Sequence, residues 1–144
     1  AGSATVSASS GGAGFEANKA VDGNTATAWK PTGAAGEWLQ LEFPAPIRIN
    51  EFKIREDPSS SVIRYVIQRW DDAAGRWCDC FNGRGIGAEF VAPIVSRSTR
   101  LVRLMILQTT SGNPGISEFE VYHDATGELF SDLTGAAATN KYGN

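Results

Sequence analysis

The chain has 144 residues, 42% of them hydrophobic, with a formal net charge of −3. That length buries one core without covalent staples, and a pI near 5.1 supplies no basic stripe, so nucleic acid is not an expected partner. No apolar run reaches the 18 or more residues of a membrane-spanning helix.

The first residues, from Ala1, are small and polar and lack an initiating Met, as expected of a piece of a longer, processed protein. Ala4–Ala8 reads as a short strand. Phe15–Val21 predicts a single helical turn anchored by Phe15 and Val21. Glu37–Phe43 alternates, with Leu39, Leu41 and Phe43 inward and Trp38, Gln40 and Glu42 outward; Pro44 and Pro46 are expected to end it. In the stretch from Ile47 to Glu56 the inward phase switches between Ile49 and Phe52, which predicts a bulge near Asn50. Val62–Trp70 is a β-branched and aromatic strand, joined through the Asp71–Gly75 turn to a returning strand, Arg76–Phe81. Asn82–Gly87 is a glycine-rich loop. Thr99–Gln108 is apolar on both faces, which predicts a central strand covered on both sides. After the polar loop Thr109–Gly115 comes the last strand, Ile116–Tyr122. From His123 to Asn144 the pattern fades into Ala, Gly, Thr and Asn, the composition of a linker. The division expected is therefore 1–122 as the domain and 123–144 as a tail. Short strands separated by turns, with almost no helical periodicity, mean an all-β sandwich or barrel.

Between Lys19 and Trp29 stand one carboxylate, one amide, two threonines, a glycine and small residues that leave carbonyls free. These are hard oxygen donors of the kind calcium takes. The same residues also form an ordinary Asp-Gly turn before a buried tryptophan, and spacing alone favours the turn. Cys78 and Cys80 are too close for an unstrained bridge and have no further soft ligands, so they are expected to be free, small hydrophobes.

No reacting constellation can be assembled. His123 is the sole histidine, no nucleophile elbow occurs, and Gly83-Arg84-Gly85-Ile86-Gly87 lacks the Lys-Ser/Thr ending of a phosphate loop. The acidic pairs Glu56-Asp57 and Asp71-Asp72 sit at strand ends, where acidic turns are routine. The chain is not expected to be an enzyme by itself.

Four segments in order carry a resemblance: Lys19–Asn24 through Thr27-Ala28-Trp29; Glu37–Phe43; Ile49–Ile54 followed by Tyr65-Val66-Ile67; and Val102-Arg103-Leu104 followed by Ile116–Tyr122. Together they resemble the discoidin-like family, the coagulation factor V/VIII C-type domains. The likeness is greatest to family 32 carbohydrate-binding modules and to the C-terminal domains of fucosidase-like glycoside hydrolases. The resemblance implies an eight-stranded antiparallel jelly-roll β-sandwich. It also implies a structural Ca2+, held by the Lys19 and Asn24 carbonyls, the Asp22 and Glu118 carboxylates and Thr27.

Galactose-binding relatives place a His after the first-loop Trp and an Arg four residues before the aromatic of the following strand. Here those positions are Lys30 and Ser61, so that recognition does not carry over. The candidate sugar-binding residues are Trp29, Lys30, Arg55, Glu56, Asp57, Arg64, Trp77 and Asn113, with aromatic faces for a pyranose and polar groups for its hydroxyls. Lys30 and Arg64 suit carboxylate or sulfate groups.

The function expected from the resemblance is a non-catalytic carbohydrate-binding module of a secreted, multimodular bacterial enzyme. Its partners would be a polysaccharide and a tethered catalytic domain, and it would be monomeric. The alternatives are an adhesion or lectin-like domain for a protein, glycan or lipid surface, and a structural spacer. The loop tips are mostly Ser, Gly and Pro, which argues against membrane contact.

Overall fold

The computed structural model describes residues 4–110 and 112–123; of the expected tail, His123 ends a strand and 124–144 lie outside the described residues. Among the described residues there are six strands: β1 (Thr5–Ala8), β2 (Glu37–Glu56), β3 (Val62–Asp71), β4 (Arg76–Gly83), β5 (Phe90–Thr109) and β6 (Ile116–His123). The helical turn is a 3-10 turn at Ala17–Ala20. Every strand pairing is antiparallel, in the order β1-β2-β5-β3-β4, with β6 on β2.

Two strands of 20 residues, β2 and β5, turn this order into two layers. The register of β2 breaks between Glu42 and Ile47, and again between Ile49 and Glu51. Before the first break β2 pairs with β1 and with the C-terminal half of β5; after it, with the N-terminal half of β5 and with β6. Counted by segment, five strands form one layer and three the other, which is the all-β jelly-roll sandwich. Pro44 and Pro46 therefore do not end the strand as the sequence suggested. They sit in the first break, where no ladder partner is required of them. The second break is the bulge predicted near Asn50.

The N-terminal half of β5 went unpredicted because Pro93 and a four-for-two register step (Arg97 to Pro93 opposite Ile49 to Glu51) interrupt its alternation. The double covering expected for Thr99–Gln108 also does not hold. Val102, Leu104 and Ile106 are fully buried, but the opposite row is part-exposed at Leu101 and Met105, and Leu107 is 39% exposed.

The core lies between the layers. Leu39, Leu41, Ile67, Leu104 and Ile106 come from the five-segment layer, and Phe52, Ile54, Phe119 and Val121 from the three-segment layer. Phe52 stacks on Phe119, ring centroids 5.6 Å apart. Trp29 is completely buried. It bridges to Ile116 by two backbone hydrogen bonds of 2.9 Å, which tie the first loop to the start of β6.

Tyr65, also in the core, lies flat against Gly83 of β4. A Cβ at Gly83 would stand 2.0 Å from the ring Cζ, a distance no rotamer relieves without moving the core. Gly83→Ala is therefore expected to lower unfolding stability by roughly 2–3 kcal/mol, read as a lower midpoint in urea with unchanged slope. An unaltered midpoint would show that this ring packs elsewhere.

Candidate functional site

The loops at one end of the sandwich bring two groups of residues together. The first is the stretch Asp22–Thr27 and its partner on β6. The Asp22 carboxylate accepts hydrogen bonds from the Asn24 amide (3.0 Å) and the Thr27 hydroxyl (2.6 Å). The Thr27 hydroxyl also stands 3.0 Å from the Asn24 carbonyl. This closes a tight ring of oxygen atoms, an Asx-type turn. Lys19 lies within the 3-10 turn Ala17–Ala20, which packs against β6.

Across from Asp22 stands Glu118, only 4% exposed, with its Oε1 lacking any hydrogen-bond partner. Burial first, then the neighbouring Asp22 carboxylate and Glu120, push the Glu118 pKa up to about 8; the Gly23 amide works in the opposite direction. A buried carboxylate facing a part-exposed one is costly unless a proton or a cation lies between them. The residues that could hold such a cation are Asp22, Asn24, Thr27 and Glu118, with the Lys19 carbonyl on the adjoining turn. Among the described residues no cluster of three or more His, Cys, Asp or Glu side chains could hold a metal. A cation here would therefore need backbone carbonyls and the Thr27 hydroxyl beside the two carboxylates. Hard oxygens in that mixture suit calcium chemistry.

The second group forms a cleft of about 420 Å³, lined by Thr25, Arg55, Glu56, Asp57, Pro58, Ser60, Gly87, Ala88 and Ser117. Its volume is within the range of small-ligand sites. Thr25 belongs to the Asp22 loop, and Ser117 adjoins Glu118, so the cleft and the carboxylate pair share their walls.

Glu56 organises the cleft. Its Oε2 accepts from the Ser60 hydroxyl (2.7 Å) and the Val62 amide (2.5 Å), and its Oε1 from the Gly87 amide (3.1 Å). Gly87 has φ +74°, which a side chain would resist. Arg55 pairs with Glu89 at 2.6 Å. Asp57 accepts from the amide and hydroxyl of Ser59 and pairs with Lys30 at 3.4 Å. Those donors, Ser59 first, hold the Asp57 carboxyl below its usual range. The Lys30 ammonium lies 4.8 Å above the Phe15 ring, and that ring is 41% exposed.

Of the candidate sugar-binding residues, Arg55, Glu56 and Asp57 line the cleft, and Lys30 meets it through Asp57. Asn113 is at the same end, donating to the Pro31 carbonyl at 3.1 Å. Three others are elsewhere. Trp29 cannot offer a ring face, because it is fully buried and its indole N–H is spent on the Ser10 carbonyl at 2.8 Å. Trp77 is at the far end of β4, paired with Trp70 beside the β3–β4 turn. Arg64 is exposed and lines a separate hollow with Arg84 and Leu107.

The residue missed by sequence reasoning is Phe15. It was taken as the anchor of a helical turn, although it follows Gly11, Gly12 and Gly14, and a bulky apolar residue after such a run is as well placed for a loop tip as for a core.

Known proteins share this architecture. A chitosan-binding module 2 from the chitosanase/glucanase of Paenibacillus sp. IK-5, solved in complex with chitotriose, is 27% identical. It aligns over 83% of this chain and 95% of its own, with a TM-score of 0.75. The putative alpha-L-fucosidase of Bacteroides thetaiotaomicron is 20% identical, with a TM-score of 0.76 over 83% of this chain and 27% of its own; at that identity the likeness is one of fold. An alpha-(1->3)-arabinofuranosyltransferase of Mycolicibacterium smegmatis (strain ATCC 700084 / mc(2)155) is 26% identical over 100 residues, 67% of this chain. The chain spans only 7% of the length of that curated relative. The F5/8 type C domain profile matches residues 3–121, nearly the whole sandwich, and the chain belongs to that family.

Proposed function

We propose that this domain is a non-catalytic carbohydrate-binding module whose loop-end cleft takes an oligosaccharide, and that it targets a tethered catalytic domain of a secreted enzyme to glycan. The observation that carries the reading is the cleft itself, with polar side chains fixed by Glu56 and with Asp57 linked through Lys30 to the part-exposed Phe15 ring. A sugar needs one apolar surface for its C–H face and a few oriented polar groups for its hydroxyls. The 27% identical module solved with chitotriose supports the class of ligand. Targeting of this kind is an effective-concentration effect, so weak intrinsic affinity suffices.

Calcium belongs to the same proposal. A divalent cation between the half-buried Asp22 and the buried Glu118 would neutralise both carboxylates and fix the Thr25 and Ser117 walls of the cleft. The Lys19 and Asn24 carbonyls and the Thr27 hydroxyl would complete its shell.

Two measurements test these proposals. In calorimetry with chitotriose and a panel of neutral oligosaccharides, the native domain should bind at least one. Phe15→Ala and Asp57→Ala should each weaken that binding roughly tenfold, the size of one lost stacking or charge-assisted contact. Silence across the panel would contradict the ligand-binding reading.

In thermal melts, calcium at a hundredfold excess over its Kd should add about 2.7 kcal/mol, a rise of roughly 5–10 °C. In chelator the midpoint should fall as pH rises from about 4.5 toward 8. The unfolded state gives up the Glu118 proton in that window while the folded state still holds it. Glu118→Gln should abolish the calcium response and, in chelator at alkaline pH, melt no lower than the native chain. Identical melts with calcium and chelator would remove the metal from the account.

A further inference from the structure

Three of the four tryptophans, Trp38, Trp70 and Trp77, are outside the core, on the outer side of the five-segment layer. Register places them there. Trp38 is opposite Met105, Gln40 opposite Arg103, Arg103 opposite Gln68, and Trp70 opposite Trp77, and direct partners share a face. The Arg103 guanidinium is sandwiched between two of the indoles, 4.5 Å from the Trp38 ring centroid and 4.3 Å from that of Trp77. It donates to Gln40 Oε1 at 3.0 Å, but its buried Nε has no acceptor. Arg103 makes no ion pair among the described residues, and burial between the rings holds its pKa below the usual value.

The charge is not isolated. Along β5 the same row runs through Met105 to Leu107, roughly 13 Å at about 3.3 Å per residue. There Leu107 lines a hollow of about 150 Å³ with the exposed Arg64 and Arg84. Neither arginine has a carboxylate partner among the described residues, whereas Arg55, Arg69 and Arg100 all do. Of the four indoles, Trp29 alone donates its N–H within the described residues. The face therefore offers N–H donors and uncompensated cations on a chain whose net charge is −3.

We propose that this outer face is a second glycan-binding surface, distinct from the loop-end cleft, which takes the carboxylate or sulfate groups of a linear polyanionic polysaccharide. Guanidinium groups pair with such anions through two parallel hydrogen bonds. The Arg103 sandwich uses the Trp38 and Trp77 ring faces that a neutral pyranose would need, so the surface reads acceptors at its edges. Arg103 at one point of the row, and Arg64 with Arg84 beside Leu107 at another, with Met105 between, match a chain that repeats its charge at intervals and shows C–H surface between charges.

The test is affinity electrophoresis of the intact chain in gels containing polygalacturonate, dextran sulfate or neutral dextran. Retardation by one or both polyanions, absent with dextran and weakened by salt, is expected. Arg103→Gln and the exposed pair Arg64→Gln/Arg84→Gln should each weaken it at least fivefold, while Phe15→Ala in the cleft leaves it unchanged. Failure of both polyanions to retard the native chain would overturn the proposal. So would an unaffected Arg64→Gln/Arg84→Gln variant alongside an Arg103→Gln variant that merely melts earlier. Sedimentation with anionic phospholipid vesicles, without retardation by either polyanion, would also overturn it and assign the face to a lipid surface.

Discussion

Two carboxylates facing each other across the end of a β-sandwich set the terms for this domain. Asp22 comes from the first loop, where it is half-buried, and Glu118 from β6, where it is buried. Their repulsion must be cancelled locally, by a proton on Glu118 or by a cation between them. Whichever cancels it joins the two ends of the chain, because little else couples the Asp22 loop to β6 besides the Trp29–Ile116 backbone bridge and the packing of the 3-10 turn. The cleft depends on that junction, since Thr25 and Ser117 form two of its walls.

The rest of the site is a set of local neutralisations. Arg55 is matched by Glu89, Lys30 by Asp57, and Glu56 by three hydrogen-bond donors. Exposed ion pairs contribute little to stability individually. Their value here is orientation, and Glu56 adds to it by holding the Ser60 turn and the adjoining start of β3 to the Gly87 loop, which is distant in sequence. Phe15 stands out because its ring, with the Lys30 ammonium over it, remains 41% exposed. The outer sheet face follows the opposite rule, with Arg103, Arg64 and Arg84 left without carboxylates.

The fold was open to inference from the residues because period-2 alternation survives in Glu37–Phe43, Val62–Trp70 and Ile116–Tyr122. The phase switch near Asn50 located the bulge that moves β2 from one layer to the other. What escaped were features set by register. Pro44 and Pro46 signal termination in any local reading, and only the pairing of β2 with β5 shows why they are tolerated. Trp29 illustrates the limit for sites. Its position in the loop suggested a ligand-facing ring, but the demand of an indole N–H for a buried acceptor, met by Ser10, placed it inside. Trp77 and Arg64 are among the candidate sugar-binding residues, yet Trp77 lies beside the β3–β4 turn and Arg64 lines a separate hollow with Arg84 and Leu107. Glu118 enters the site through the family resemblance alone, and its burial distinguishes it from Glu120, the other acidic residue of β6.

The central claim is that one cation joins Asp22 and Glu118 and thereby shapes the cleft. The most direct measurement is a calcium titration of the chelator-treated domain followed by amide NMR. The account predicts saturable shifts concentrated at residues 22–27 and 116–119, extending to Thr25 and Ser117 on the cleft wall and fading toward the β3–β4 turn. Shifts absent from those segments, or spread evenly over the surface acidic residues, would contradict it.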